Sequence, residues 1–215
     1  MQTMAIIVSL YGISLMAKTL VSLSGGLDSL AMTYLLLKDS KDNDIHIHHI
    51  NIKNEENRWV AEQIAVRNIL DYFRHNNYPK FEYSESSIEY PSFNGSFLYD
   101  TDTINFISGY IASVNMKIKC VAYGAIKSEF AQLNNSKRFT RAMNIFRSFT
   151  DIEKIYPVKD YDKSEIYALL PPDLRCLAWS CRKPIYEDGY AKPCNSCSTC
   201  NTLKKANIIQ ESIKI

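Results

Sequence analysis

Lys18-Thr19-Leu20-Val21-Ser22-Leu23-Ser24-Gly25-Gly26-Leu27-Asp28-Ser29 is the stretch on which the reading of this chain turns. Lys18 to Ser22 is a short β-branched and apolar run ending ahead of a glycine pair, the profile of a buried parallel strand. Asp28 to Lys38 then reads as a helix whose broad apolar face carries Leu30, Ala31, Tyr34, Leu35 and Leu37. The six residues from Ser24 to Ser29 join the two. Two glycines let the backbone approach a phosphate closely and adopt positive φ. The helix start offers unpaired N–H groups and the positive end of its dipole. Ser24 and Ser29 add hydroxyl donors. Ionised Asp28 cannot donate, so beside a phosphate it requires Mg²⁺ or serves as an N-cap. The Walker spacing and its Gly-Lys-Ser/Thr ending are absent. A Gly-Gly pair alone reads as a capped turn; all six residues after an apolar strand point to a nucleotide.

Outward from this stretch, strands and helices alternate. Asp44 to Ile52 reads as a second strand and Asn57 to Asn76 as a helix, with Val66, Ile69, Leu70 and Phe73 at helical spacing. Lys80 to Ser84 reads as a third strand, followed by an exposed loop around Pro91, Asn94 and Gly95. Helices are expected over Ile104 to Val114, Phe139 to Phe149 and Lys163 to Leu170, the last stopped by Pro171-Pro172. Strands are expected over Ile118 to Tyr123 and Ile152 to Pro157, and a closing helix over Asn201 to Ile213. Such alternation gives an α/β fold, a parallel sheet covered by helices on both faces. Ligands of such sheets bind beyond the carboxyl ends of the strands, the edge on which the glycine pair falls.

The 215 residues, 46% apolar and 22% charged, suit one α/β domain with a small appendage. A net charge of +2 is too slight to announce a polyanionic partner. No segment reaches the about 18 consecutive apolar residues of a membrane span. Met1 to Leu15 is apolar and uncharged, without the basic start of a secretory signal. It reads as an added strand or an extension, and the protein as cytoplasmic.

Of six cysteines, Cys181, Cys194, Cys197 and Cys200 cluster as C-x12-C-x2-C-x2-C in a polar stretch, while Cys120 and Cys176 lie among apolar neighbours. Tight clustering favours a metal over a disulfide framework. Four thiolates at this spacing fit a structural zinc ion; thiolate softness also admits an iron–sulfur cluster.

Ser24-Gly25-Gly26-Leu27-Asp28-Ser29 resembles the signature of the PP-loop superfamily of N-type ATP pyrophosphatases. Leu170-Pro171-Pro172-Asp173-Leu174, Ala178-Trp179-Ser180-Cys181 and Cys194-Asn195-Ser196-Cys197-Ser198-Thr199-Cys200 resemble the end of the 7-cyano-7-deazaguanine synthase family. Tyr156-Pro157-Val158 and Asp162-Lys163-Ser164-Glu165-Ile166 resemble an element upstream of it. The chain departs from that family in its longer Arg182 to Pro193 loop and in Asn51-Ile52-Lys53-Asn54. An Arg-Asn pair expected near Asp100 to Phe106 is also missing.

The resemblance implies a Rossmann-like fold of the adenine nucleotide alpha hydrolase kind. Residues 16–175 would form the ATP-binding domain, 176–215 a zinc segment with its closing helix, and 1–15 an N-terminal extension. It implies ATP binding by Leu23, Ser24, Gly25, Gly26, Leu27, Asp28, Ser29, Leu30, Ala31, Met32 and Thr33, with Mg²⁺. Asp28 and Lys163 take catalytic roles, Lys163 toward the α-phosphate or the substrate carboxylate, and the four clustered cysteines hold one structural zinc. The implied reaction joins ammonia to 7-carboxy-7-deazaguanine to give the nitrile. The alternatives are a variant that stops at the amide for DNA modification and a PP-loop enzyme of the tRNA-thiolation type. Neither direct nucleic-acid binding nor a membrane partner is expected, and a homodimer is allowed for.

Two weaker constellations remain. His46 and His48 share a strand face, where packing or the lining of the nucleotide site is expected ahead of metal binding. Lys137, Arg138, Arg141 and Arg147 read as a solvated helix face, with a lid over ATP as the second choice.

Overall fold

The computed structural model describes residues 17–90, 99–133 and 136–215. The expected N-terminal strand within residues 1–15 and the loop around Pro91, Asn94 and Gly95 lie outside the described residues. Five strands form the main sheet: β1 (Lys18–Ser22), β2 (Ile45–Lys53), β3 (Glu82–Glu89), β4 (Ile118–Ala122) and β5 (Glu153–Ile155). Every neighbouring pair is parallel, in the order β3-β2-β1-β4-β5.

Alternation along the strands sends successive side chains to opposite faces. Val21, Leu23, Ile45 and Ile47 pack against α1 (Leu27–Lys38), α2 (Trp59–His75) and α6 (Lys163–Leu169), through Leu30, Met32, Val66, Ile69, Phe73 and Ile166. Leu20 and Val121 face the other way, onto α3 (Asp100–Val114) and α5 (Lys137–Arg147), through Ala112 and Phe146. Burying each large apolar side chain stabilises the fold by about 2 kcal/mol, so both helical layers are tied to the sheet by several such contributions. The fold class expected from the sequence is therefore present, with a four-cysteine cluster at its C-terminal end.

The strand order reverses direction between β1 and β4, and a crevice opens beyond the carboxyl ends of strands at such a point. Both strands lead there into glycine, β1 at Gly25 and β4 at Gly124. A Cβ on Gly124, just after β4, would lie 2.8 Å from the Ser29 backbone nitrogen and 2.9 Å from the Asp28 carbonyl carbon. The β4 end thus lies flat against the first turn of α1.

Several elements differ from the expectations. β3 runs on to Glu89, through residues expected to begin a loop, in unbroken register with β2 from His46 opposite Glu82 to Lys53 opposite Glu89. Among the described residues no strand pairs with its outer edge; its side chains are half-exposed and its sequence lacks an apolar alternation. Two short helices, α4 (Lys127–Leu133) and α7 (Pro172–Arg175), were not anticipated. The enlarged Arg182 to Pro193 loop contains a hairpin of β6 (Ile185–Glu187) and β7 (Tyr190–Lys192).

The closing helix is the main correction. It is α8 (Ser198–Lys205), and the chain continues into β8 (Ile213–Lys214), which completes a three-stranded antiparallel sheet with β6 and β7. Asn207 stops the helix with φ 56°. Its N–H bonds to the Lys204 carbonyl at 3.0 Å and that of Ile208 to Leu203 at 2.9 Å. This is a Schellman ending with asparagine in the left-handed position usually taken by glycine.

Candidate nucleotide site and metal centre

Ser24 to Ser29 form a loop that holds its own shape. Ser29 Oγ accepts from the Ser24 N–H at 3.1 Å and donates to the Gly26 carbonyl at 3.0 Å, and it lies 3.0 Å from Ser24 Oγ. Gly25 has φ +84°, and a Cβ there would meet the Glu62 carbonyl oxygen at 2.9 Å, so glycine is required by both conformation and space. Gly26, not Asp28, is the N-cap of α1, and it brings no side chain to the first amides. The Leu27 N–H is taken by Ser180 Oγ at 3.3 Å, and the amides that follow it in the first turn are left at the helix start, the arrangement that receives an anion.

Asp28 lies in the first turn, where its carboxylate receives Lys163 Nζ at 2.5 and 2.7 Å. Lys163 opens α6, set by Asp162, which caps that helix by accepting from the Ser164 and Glu165 N–H groups; the Glu165 carboxylate accepts the Asp162 N–H at 2.7 Å in return. The two sequence-predicted catalytic residues thus meet at the crevice. Leu23, directly after β1, is buried, its carbonyl 2.8 Å from His49 Nδ1. Leu27, Leu30, Ala31, Met32 and Thr33 turn into the core behind the loop.

Glu129 of α4 stands near the Asp28–Lys163 pair, and no local pattern in the sequence marks it. Its carboxyl is held above its ordinary range, by crowding from surrounding protein first and then by the Asp28 charge, with Lys163 and Arg138 opposing. It is solvent-exposed, and near enough to Asp28 and Lys163 for both charges to act on it. Tyr123 and Tyr156, at the ends of β4 and β5, stack 6.0 Å apart at 29°, and Phe130 of α4 meets Tyr156 at 5.0 Å. These rings form an aromatic wall just beyond Gly124. A Tyr-Gly step directly after a strand was the available signal for this wall.

Two of the four α5 cations are engaged, and the other two lie on the expected solvated face. Arg138 donates through Nε to Thr101 Oγ1 at 2.8 Å and lies 4.2 Å over the Tyr99 ring. Arg141 donates to Asp102 at 2.6 Å. Both tie α5 to the start of α3, whereas Lys137 and Arg147 are exposed. The histidines are hydrogen-bonded within the sheet. Ser84 Oγ lies 2.7 Å from both His46 Nε2 and His48 Nδ1, and Ser86 Oγ lies 3.0 Å from His48 Nε2.

Cys181, Cys194, Cys197 and Cys200 are the single group among the described residues able to share a metal. Their ligand atoms all lie within 4.8 Å of one another, with Cys181 Sγ 3.5 Å and Cys200 Sγ 4.0 Å from Cys194 Sγ. Tetrahedral metal–sulfur bonds of about 2.3 Å put sulfurs about 3.8 Å apart, so the residues present fit one four-coordinate ion. Backbone N–H groups of Cys194, Cys197 and Cys200 point at the sulfurs of Cys181, Cys194 and Cys197 at 3.3, 3.3 and 3.4 Å, as thiolates require. Burial opposes ionisation of Cys194, yet the surrounding N–H groups outweigh it and bring the thiol down to about 6. Burial raises Cys181 to about 11. Cys120 is half-buried and Cys176 exposed, so the expected apolar setting does not hold for Cys176.

Behind the loop lies a cluster of charges. Arg58 reaches Asp100 at 2.6 Å and Glu62 at 3.2 Å, and Arg182 reaches Glu56 at 2.8 Å and Asp100 at 3.2 Å. Burial pushes Glu62 up to about 7 against the pull of Arg58.

No family model matches this chain, and no curated protein does. It is similar to the solved structure of the U34-tRNA thiolase NcsA from Methanococcus maripaludis with its [4Fe-4S] cluster, at 16% identity and a TM-score of 0.49. That similarity covers 89% of this chain and 63% of the thiolase chain. No helix among the described residues is long and apolar enough to cross a membrane.

Proposed function

We propose that this chain is an ATP-using enzyme of the PP-loop kind, cleaving ATP between its α- and β-phosphates to adenylate an oxygen of its substrate. One observation carries the reading: the Ser24 to Ser29 loop lies at the reversal of strand order, with Asp28 and Lys163 paired over it. Amides from Gly25 to Ser29 would take the pyrophosphate. Lys163 would leave Asp28 for the α-phosphate or the substrate carboxylate, placing positive charge where negative charge develops. Asp28, with Glu129 beside it, would then be free to hold Mg²⁺, whose charge offsets that of the phosphates when bound.

For the substrate we favour 7-carboxy-7-deazaguanine with ammonia, on the strength of the Trp179 to Cys181 and Cys194 to Cys200 motifs. A carboxylate oxygen attacks the α-phosphorus and pyrophosphate leaves, giving an acyl adenylate. Ammonia displaces AMP to give the amide. A second adenylation, on the amide oxygen, lets that oxygen depart with AMP and leaves the nitrile. Positioning and charge do this work, and no nucleophilic side chain is needed. In the centre we place one structural zinc ion on Cys181, Cys194, Cys197 and Cys200. Four cysteines on an iron–sulfur cube each hold a different iron and would stand farther apart than four on one ion.

The second reading is sulfur transfer to a tRNA base. It draws on Cys176, an exposed thiol outside the centre that lines a crevice with Leu27 and Ser180. Burial, followed by the charge of Glu211, raises that thiol's pKa, which weakens it as a sulfur carrier. The test is the mass of the product formed from the carboxy-deazaguanine, ATP, Mg²⁺ and ammonium. Nitrile or amide supports the first reading. Neither product, together with a thiolated nucleoside from tRNA and a sulfur donor, supports the second. An inert protein with folded, metal-loaded chains would reject both.

A further inference from the structure

One run of four residues, Trp179-Ser180-Cys181-Arg182, touches the phosphate loop, the metal centre and the charge cluster in turn. The Trp179 N–H donates to the Gly25 carbonyl at 2.8 Å. Ser180 Oγ accepts the Leu27 N–H at 3.3 Å, the first amide of α1, at the end of the Ser24 to Ser29 loop. Cys181 is a buried member of the sulfur cluster. Arg182 clasps Glu56 with two hydrogen bonds, of 3.0 and 2.8 Å.

The run is stiff along its length. Trp179 is 1% exposed, packs on Ala61 and Ala65 of α2, and donates its ring N–H to the Cys181 carbonyl at 3.0 Å. The Ser180 N–H donates to the Gln210 side chain at 2.8 Å. Around it the small core contains Ala191 and the cysteines themselves, under strands of two or three residues. A core of that size has little apolar area to stand on, so a bound ion would supply most of what orders it.

We propose that Ser180 is a positioning residue through which metal occupancy of the four-cysteine centre sets the geometry of the phosphate loop. Binding of metal and binding of nucleotide are then coupled, and equally so in both directions. This inference rests on the nucleotide reading above.

The test uses the full chain loaded with one zinc per chain, the same chain stripped by chelator, and the loaded variants Ser180→Ala and Ser180→Thr. The probe is α,β-methylene-ATP, measured by calorimetry. Loaded wild-type protein is expected to bind it about tenfold more tightly than stripped protein, and bound nucleotide to slow zinc loss to a chelator in proportion. Ser180→Ala keeps its four cysteines and its zinc but loses this coupling, and Ser180→Thr, which retains the acceptor, keeps it. Amide resonances of Gly25, Gly26 and Leu27 shift on metal removal in wild-type protein and are already displaced in loaded Ser180→Ala. Loaded and stripped protein binding the probe equally would overturn the coupling while leaving the nucleotide site standing. A Ser180→Ala protein that is merely less stable, with its coupling intact, would overturn the role of Ser180. Loaded protein that binds no nucleotide would overturn the nucleotide reading and this inference with it.

Discussion

Lys163 Nζ stands 2.5 and 2.7 Å from the two carboxylate oxygens of Asp28, joining the first turn of α6 to the first turn of α1 across 135 positions of sequence. Both side chains are largely buried, at 10% and 18% exposure. Removing one partner of such a pair leaves the other charge unsatisfied, at a cost on the order of 3 kcal/mol. Lys163→Met is therefore expected to lower the melting temperature and to reduce kcat/KM for ATP by about 10²-fold or more. In the double variant Asp28→Asn with Lys163→Met, stability returns and activity does not. Calorimetric melting and ATP–pyrophosphate exchange on the three proteins check this.

Gly124→Ala is expected to be more damaging than its position in an open turn implies. The new Cβ would press at 2.8 Å on backbone, the Ser29 nitrogen, which cannot rotate aside. We expect a loss of about 2 kcal/mol and no measurable nucleotide binding. Gly189→Ala is the control. Gly189 has φ +76° with nothing within 4 Å of an added Cβ, so it bears the left-handed backbone cost alone, about 1 kcal/mol, and nucleotide affinity is unchanged. Denaturant melts and nucleotide titrations separate the two.

Acid is expected to unfold the sheet through its histidines. Burial, aided by neighbouring His46 and His49, lowers the His48 pKa from 6.5 to about 4, and burial lowers those of His46 and His49 too. A folded pKa below the unfolded one means that the folded state resists the proton. The stability is whole above pH 6.5 and drains away as pH falls toward 4. For His48 alone the loss is on the order of 3 kcal/mol. His48→Asn is expected to flatten the dependence of stability on pH across that interval, read from urea melts at successive pH values.

Replacing any of Cys181, Cys194, Cys197 or Cys200 by serine is expected to remove the bound metal, whereas Cys176→Ser retains one zinc per chain and full adenylation activity. Metal content by atomic emission, beside pyrophosphate exchange, checks both parts. Loss of tRNA thiolation alone in Cys176→Ser would favour the second functional reading.

Much of the sheet was legible because its central strands are buried and bear runs such as Lys18 to Ser22 and Ile118 to Ala122. The edge strand was half-read. Ser86 and Ser87 look like loop residues, and their place in β3 depends on β2 alongside, where Ser86 meets His48, a contact no local pattern encodes. The C-terminal helix was extended too far because Asn207 was not read as a left-handed stop. In the site, the phosphate loop and the four cysteines announced themselves through short-range spacing. Glu129 and the Tyr123–Tyr156 wall did not, since the tyrosines meet only when β4 and β5 lie side by side and Glu129 meets Asp28 only across the fold. The role of Ser180 depends likewise on a contact 153 positions away.

The most direct test of the account is the identity of the nucleotide products. Zinc-loaded protein with Mg²⁺, ATP, ammonium and the carboxy-deazaguanine should yield AMP and pyrophosphate in equal amounts by phosphorus NMR, and none with Asp28→Ala. ADP with inorganic phosphate, or AMP formation that survives Asp28→Ala, would contradict it.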